Sequence, residues 1–134
     1  MLPFEFVIMG PPVSQQTRYK PRRRAWIEQL RVAITAIWPR GEKPAVGPVR
    51  VGITHVFATV TIDLDNLAKP VLDALKGIVL QDDEQVRELT MRKHELDQID
   101  RIQTFRPLLL QALGRGEEFL HVVVEEALDQ EVVV

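Results

Sequence analysis

The chain has 134 residues, 46% apolar and 27% charged, which is ordinary globular usage and enough length for one hydrophobic core, so a single domain over residues 1–134 is expected. A formal net charge of -2 is not the overall balance of a strong nucleic-acid binder, and the absence of cysteine excludes disulfide scaffolds, thiolate zinc sites and cysteine nucleophiles. No apolar run approaches the roughly 18 residues of a membrane span and MLPFEFVIMG lacks signal-peptide features, so a cytoplasmic protein without membrane association is expected.

In chain order, Phe4 to Met9 alternates and is aromatic and β-branched, which predicts a strand, and GPPVSQQT ends it with loop chemistry. From Arg22 to Trp38 the positions Trp26, Ile27, Leu30, Ile34, Ile37 and Trp38 keep helical spacing, with Arg24, Glu28, Arg31 and Thr35 on the other face. Pro39 and RGEKPAVGP break that helix, and Val49 to Ile62 reads as a long strand or one with a bent end. A second helix follows, expected to begin between Asn66 and Lys69 because Pro70 is tolerated in a first turn and costly further in, with Gly77 as its C' residue. After the connection IVLQDDEQ, Val86 to Lys93 predicts another strand. Ile99, Ile102, Phe105, Leu109 and Leu113 keep roughly helical spacing interrupted by Pro107 and closed by Gly114. Phe119 to Glu126 contains LHVVV and reads as a buried strand, leaving ALDQEVVV as frayed end or edge material. The order β-α-β-α-β-(α)-β points to an α/β or α+β fold, a mixed sheet with helices packed on it.

Chemistry concentrates around the second helix, where Asp63 and Asp65 precede the predicted helix, Asp82 and Asp83 follow it, and Lys69 and Asp73 lie within. A magnesium-like ion takes hard oxygen ligands and needs only one or two protein carboxylates beside water and phosphate. Residues two apart in extended chain share a side, so Asp63 and Asp65 are expected to face one ion, and a third ligand from Asp82 or Asp83 requires the chain to fold back. Against this stand plainer readings: Lys69 and Asp73 have the i,i+4 spacing of a simple helix pair, Asp65 suits a helix cap, and a lone D-x-D also serves glycosyltransferases and calcium loops.

The full string D-L-D-N-L-x-K-P-x-x-D-A-L-x-G-I-V-x-x-D-D-x-Q-V, residues Asp63 to Val86, is more specific than its parts and resembles the signature of the RusA family of Holliday-junction resolvases. The resemblance implies a RusA-like fold and a small dimeric endonuclease using Mg2+ to cut four-way DNA junctions in recombination and repair. By position it implies Asp63, Asp65 and Asp83 as metal-binding catalytic acids, Lys69 as the essential lysine, Asn66 as an orienting group and Asp82 as a supporting acid. Two features depart from the family pattern: the acidic overall balance, and the stretch from Asp97 to Arg115, which looks like an addition.

RYKPRRRAW brings Arg18, Lys20, Arg22, Arg23 and Arg24 to the start of the first helix. Phosphate contact is the usual work of such a run, and its alternative is a solvated helix start. Basic residues there oppose the helix dipole, which favours DNA binding. Trp26 and Trp38 are expected in the core, and His55, His94 and His121, lacking ligand spacing, as structural residues. No serine or threonine has a base partner, no glycine-rich phosphate loop is present, and no organic cofactor is expected. The leading expectation is a Mg-dependent junction endonuclease acting as a homodimer on branched DNA. The alternative is a non-cleaving branched-DNA or partner-binding module on the same fold, with a nucleotidyl or glycosyl transferase as a distant third.

Overall fold

Runs of alternating and of helical apolar spacing follow one another along the chain, and the computed structural model, which describes residues 1–59, 62–104 and 106–127, folds them in turn. The elements are β1 (Phe4–Met9), α1 (Lys20–Thr35), β2 (Val49–Phe57), α2 (Leu64–Leu75), β3 (Val86–Glu95), α3 (Pro107–Gly114) and β4 (Phe119–Glu126), with 3-10 turns at Asp83–Gln85 and Leu96–Arg101. The strands form one mixed sheet in the order β1-β4-β2-β3. β4 pairs antiparallel with β1 and with β2, whereas β2 and β3 run parallel. The expected mixed α/β architecture is therefore the one adopted.

β4 lies inside the sheet, and Phe119 through Val124 are all buried, which is why LHVVV is continuously apolar except for one histidine. Val49, Val51 and Ile53 of β2 meet Trp26, Leu30 and Ile34 of α1 and Val71 and Leu75 of α2 in the main core. Trp38 joins them, its indole N–H donating to the Glu42 carbonyl at 3.2 Å. On the opposite face a smaller cluster of Val56, Leu109, Ala112 and Phe119 gathers α3 onto the sheet.

Parallel pairing of β2 and β3 requires a crossover, and α2 supplies it. The helix therefore starts at the end of the sheet where β2 finishes and runs toward the end where β3 begins. Gly77 follows the Lys76 C-cap with φ +89°, the left-handed conformation in which glycine is least strained.

Several boundaries differ from those read in the sequence. α2 begins at Leu64, before the expected Asn66 to Lys69, so Pro70 sits inside it. α1 ends at Thr35, leaving Ile37 half exposed beyond it. β2 stops at Phe57, and the part of its expected extension at residues 60 and 61 lies outside the described residues. Pro107 starts α3 instead of interrupting a longer helix, because its missing N–H costs nothing in a first turn. Ile99 and Ile102 belong to and follow a separate 3-10 segment, and Phe105 and 128–134 lie outside the described residues. His55 and His121 are buried and bonded to carboxylates, and Trp26 and Trp38 are buried, as expected.

Candidate functional site

Asp63 is the N-cap of α2 and Asp65 its second residue, so the side-sharing argument for extended chain does not apply to the pair. Asp63 makes no side-chain cap hydrogen bond. Among the described residues neither carboxylate has a hydrogen bond or ion pair within the chain, and both are exposed. The positive end of the helix dipole favours two anions there.

The start of α2 is held by a neighbouring loop for a reason that lies in Pro70. Proline offers no N–H to the Asn66 carbonyl one turn earlier, and the Gln15 N–H takes that acceptor at 2.9 Å. The proline thus docks the loop after β1 against the helix. Gln15 continues the connection, its Oε1 accepting from Arg23 Nε at 2.6 Å, while Arg23 Nη2 donates to Asp73 Oδ2 at 2.8 Å. Asp73 also accepts from Lys69 Nζ at 2.7 Å, and the same ammonium stands 4.0 Å from Asp83 Oδ2. The hydrogen bond and charge of Asp73, with a smaller contribution from Asp83, raise the Lys69 pKa above its ordinary value against the opposing effect of burial. The i,i+4 pairing of Lys69 with Asp73 is real, and it leaves the ammonium half exposed on the Asp83 side.

Beyond the helix, Asp82 caps the 3-10 turn, accepting from the Glu84 N–H at 3.4 Å, and lies 3.8 Å from Lys76 Nζ. Hydrogen bonding to Asp83 and then to the Glu84 amide lowers its pKa. Gln85 clamps this turn. Its Oε1 accepts from the amides of Gln81 and Asp82 at 2.7 and 3.0 Å, and its Nε2 donates to the carbonyls of Ala45 and Gly47 at 2.8 and 3.0 Å. Gln85 and Gln15 were not singled out from the sequence. The D-x-x-Q capping-box spacing marks the first, whereas the second answers a carbonyl freed 51 positions away and leaves no local signal.

Among the described residues no group of three or more His, Asp or Glu side chains lies close enough to hold a metal ion. Lys69 stands between the two acidic pairs: its ammonium is 4.0 Å from Asp83 Oδ2, and it follows Asp65 by one turn of α2. The donor chemistry nevertheless fits a hard cation: Asp63 and Asp65 offer carboxylate oxygens with no partner among the described residues.

Of the basic run, Arg18, Lys20, Arg22 and Arg24 are exposed, while Arg23 is committed to Gln15 and Asp73. No acidic residue stands in the first turn of α1 to offset them. Among the described residues no helix is long and apolar enough to cross a membrane.

The family model described as endodeoxyribonuclease RusA matches residues 13–103, a span holding the acids, Lys69 and the basic run, but neither α3 nor β4. No curated protein matches the chain.

Proposed function

Because the chain belongs to the RusA endodeoxyribonuclease family, we propose that it resolves four-way DNA junctions by magnesium-dependent phosphodiester hydrolysis, as a two-fold homodimer that makes paired nicks. The observation that carries this reading is the inclusion of the whole acid-lysine-acid string, Asp63 to Asp83, in the matched span.

Asp63 and Asp65 are the residues that would hold the ion, with Asp83 completing the set. The ion supplies activation of water and neutralisation of charge at the phosphate. Lys69, its proton held more firmly by Asp73, acts as a fixed cation and not as a base, offsetting charge that develops on the scissile group. Arg18, Lys20, Arg22 and Arg24 bind phosphates away from the cut. Asn66, in the first turn of α2, orients Asp63 through its N–H, which donates to the Asp63 carbonyl at 2.9 Å.

One feature supports the dimer: β3 is an edge strand of ten residues, none of them buried. Antiparallel pairing of two β3 edges about a two-fold axis requires a residue to face its own copy, since opposed side chains share a face. Centring on Met91 opposes Arg87 with Glu95 and Glu88 with His94 and creates no like-charged pair. Centring on Thr90 sets Arg87 against Lys93, and centring on Arg92 sets arginine against itself. Such pairing brings the start of one β3, which the turn holding Asp83 directly precedes, to the sheet end where the other chain's Asp63 stands.

The test is to incubate the protein with a synthetic four-way junction, with and without magnesium, and follow both strands. Symmetric nicks that need magnesium are expected. Tight junction binding with no cleavage in any divalent cation would overturn the enzyme reading in favour of a binding module.

A further inference from the structure

Another carboxylate stands at this end of the sheet, outside the matched span: Glu118, at the entry to β4. Its Oε1 accepts from the Ala58 N–H at 3.2 Å, and its Oε2 lies 2.9 Å from His55 Nε2. Its backbone carbonyl accepts from the Gly10 N–H at 2.8 Å. One residue thus ties the exits of β1 and β2 to the entry of β4. The first exit leads to Gln15, which holds the Asn66 carbonyl, and the second leads in five residues to Asp63. Glu118 also lines a cleft with Ser14, Thr17, Arg22, Thr59 and Ile62, the last of these adjoining Asp63 in sequence.

His55 shows that the connection is more than surface decoration. It is fully buried on the face of β2 where Val49, Val51 and Ile53 are apolar, and its Nδ1 has no hydrogen-bond partner among the described residues. A leucine or phenylalanine would fill core space without burying an unpaired nitrogen, so the imidazole is retained at a cost. Its Nε2 contact with Glu118 fixes where the carboxylate points.

We propose that Glu118, oriented by His55, is a positioning residue that sets the segment carrying Asp63 at the start of α2. The inference rests on the function proposed above for its activity readout alone. Glu118 acts through hydrogen bonds and not through its charge, so Glu118→Gln, which keeps an oxygen for Ala58 and an amide for the other imidazole tautomer, retains the function that Glu118→Ala loses.

The experiment compares the two variants by thermal unfolding, amide hydrogen exchange, metal-free junction binding and a magnesium titration of cleavage. For Glu118→Ala, exchange at Ala58 and at Asn66, whose N–H reports the Asp63 carbonyl, is expected to quicken by ~10-fold or more while β2 and β4 exchange as before. The magnesium needed for half-maximal cleavage rises several-fold and metal-free junction affinity is unchanged. Glu118→Gln stays within about 3-fold of the parent in every measurement. Glu118→Gln as damaging as Glu118→Ala would show a role for the charge, and unchanged Asn66 exchange in Glu118→Ala would show that Asp63 is not held this way. Either overturns the proposal. Should the parent protein not cleave, the function reading fails while the exchange arms still decide this one.

Discussion

The two ends of α2 carry similar charge in opposite circumstances. At its start, Asp63 and Asp65 have no partner among the described residues. From its middle onward the aspartates are engaged: Asp73 by Arg23 and Lys69, Asp82 by Lys76 and the Glu84 amide, Asp83 by Lys69 at the limit of an ion pair. Carboxylates satisfied by the chain stabilise it, whereas carboxylates left to solvent at a dipole's positive end are available to a ligand the chain lacks. The D-x-D acids, Asp63 and Asp65, are the ones the fold leaves without a partner among the described residues.

The largest expected effect comes from disabling the free end. Asp63→Asn should lower the cleavage rate by at least ~10²-fold, while junction affinity in metal-free buffer is kept or improved because repulsion of phosphate falls. Loss of metal-free affinity in a folded Asp63→Asn protein would contradict the assignment. Next comes the relation between the ends. Mixing Asp63→Asn with Asp83→Asn, each inactive alone, should restore single nicks at roughly a quarter of the parental site activity, since half of randomly paired dimers regain one site from two chains. No recovery would place the site within one chain. The chain has no cysteine, so Met91→Cys should form an intersubunit disulfide on oxidation whereas Leu89→Cys should not, because Cα atoms of opposed antiparallel residues stand about 4.5–5.5 Å apart.

Breaking the satisfied end should act on stability. Asp73→Ala removes the acceptor shared by Arg23 and Lys69 and should cost about 1–2 kcal/mol in urea unfolding, discounted for the partial exposure of all three groups. The arginines sharpen the contrast further. Arg22→Gln with Arg24→Gln should flatten the salt dependence of junction binding by up to ~0.9 log unit for each phosphate no longer neutralised, while Arg23→Gln should lower stability and leave that slope nearly unchanged.

The smallest effect lies away from α2, at His121 of β4. Burial, which outweighs the Glu5 contact, lowers its pKa from the ordinary histidine value, and Arg106 adds to the lowering. The unfolded chain therefore binds the proton more readily than the folded one. The contribution is fully present above the ordinary histidine value and is lost as the pH falls from there through the lowered folded value. His121→Gln should flatten the pH dependence of unfolding over that interval, and an unchanged slope would remove His121 as its source.

Much of this protein is determined by local rules that the sequence carries openly. Alternation placed β1, β-branched and apolar residues placed β2 and β3, helical spacing placed α1, Gly77 closed α2 where a left-handed residue was needed, and the apolar run LHVVV already announced β4 as a buried strand. The string from Asp63 to Val86 identified the family because its spacing is specific along the chain. What the spacing could not convey is anything mediated by partners distant in sequence. Pro70 looked like a limit on where α2 begins, yet it sits inside the helix because Gln15 supplies the lost hydrogen bond. Arg23 looked like its neighbours and is instead tied to Asp73, 50 positions away. Glu118 carries no local signal at all: only the pairing of β4 with β2 brings it to His55 and Ala58. Above all, the parallel pairing of β2 with β3 made α2 a crossover helix and brought Asp83 back to Lys69, 14 positions earlier in the chain. Local propensity acts over a few residues, whereas strand order and direction are set by which apolar faces can be buried together across the whole chain.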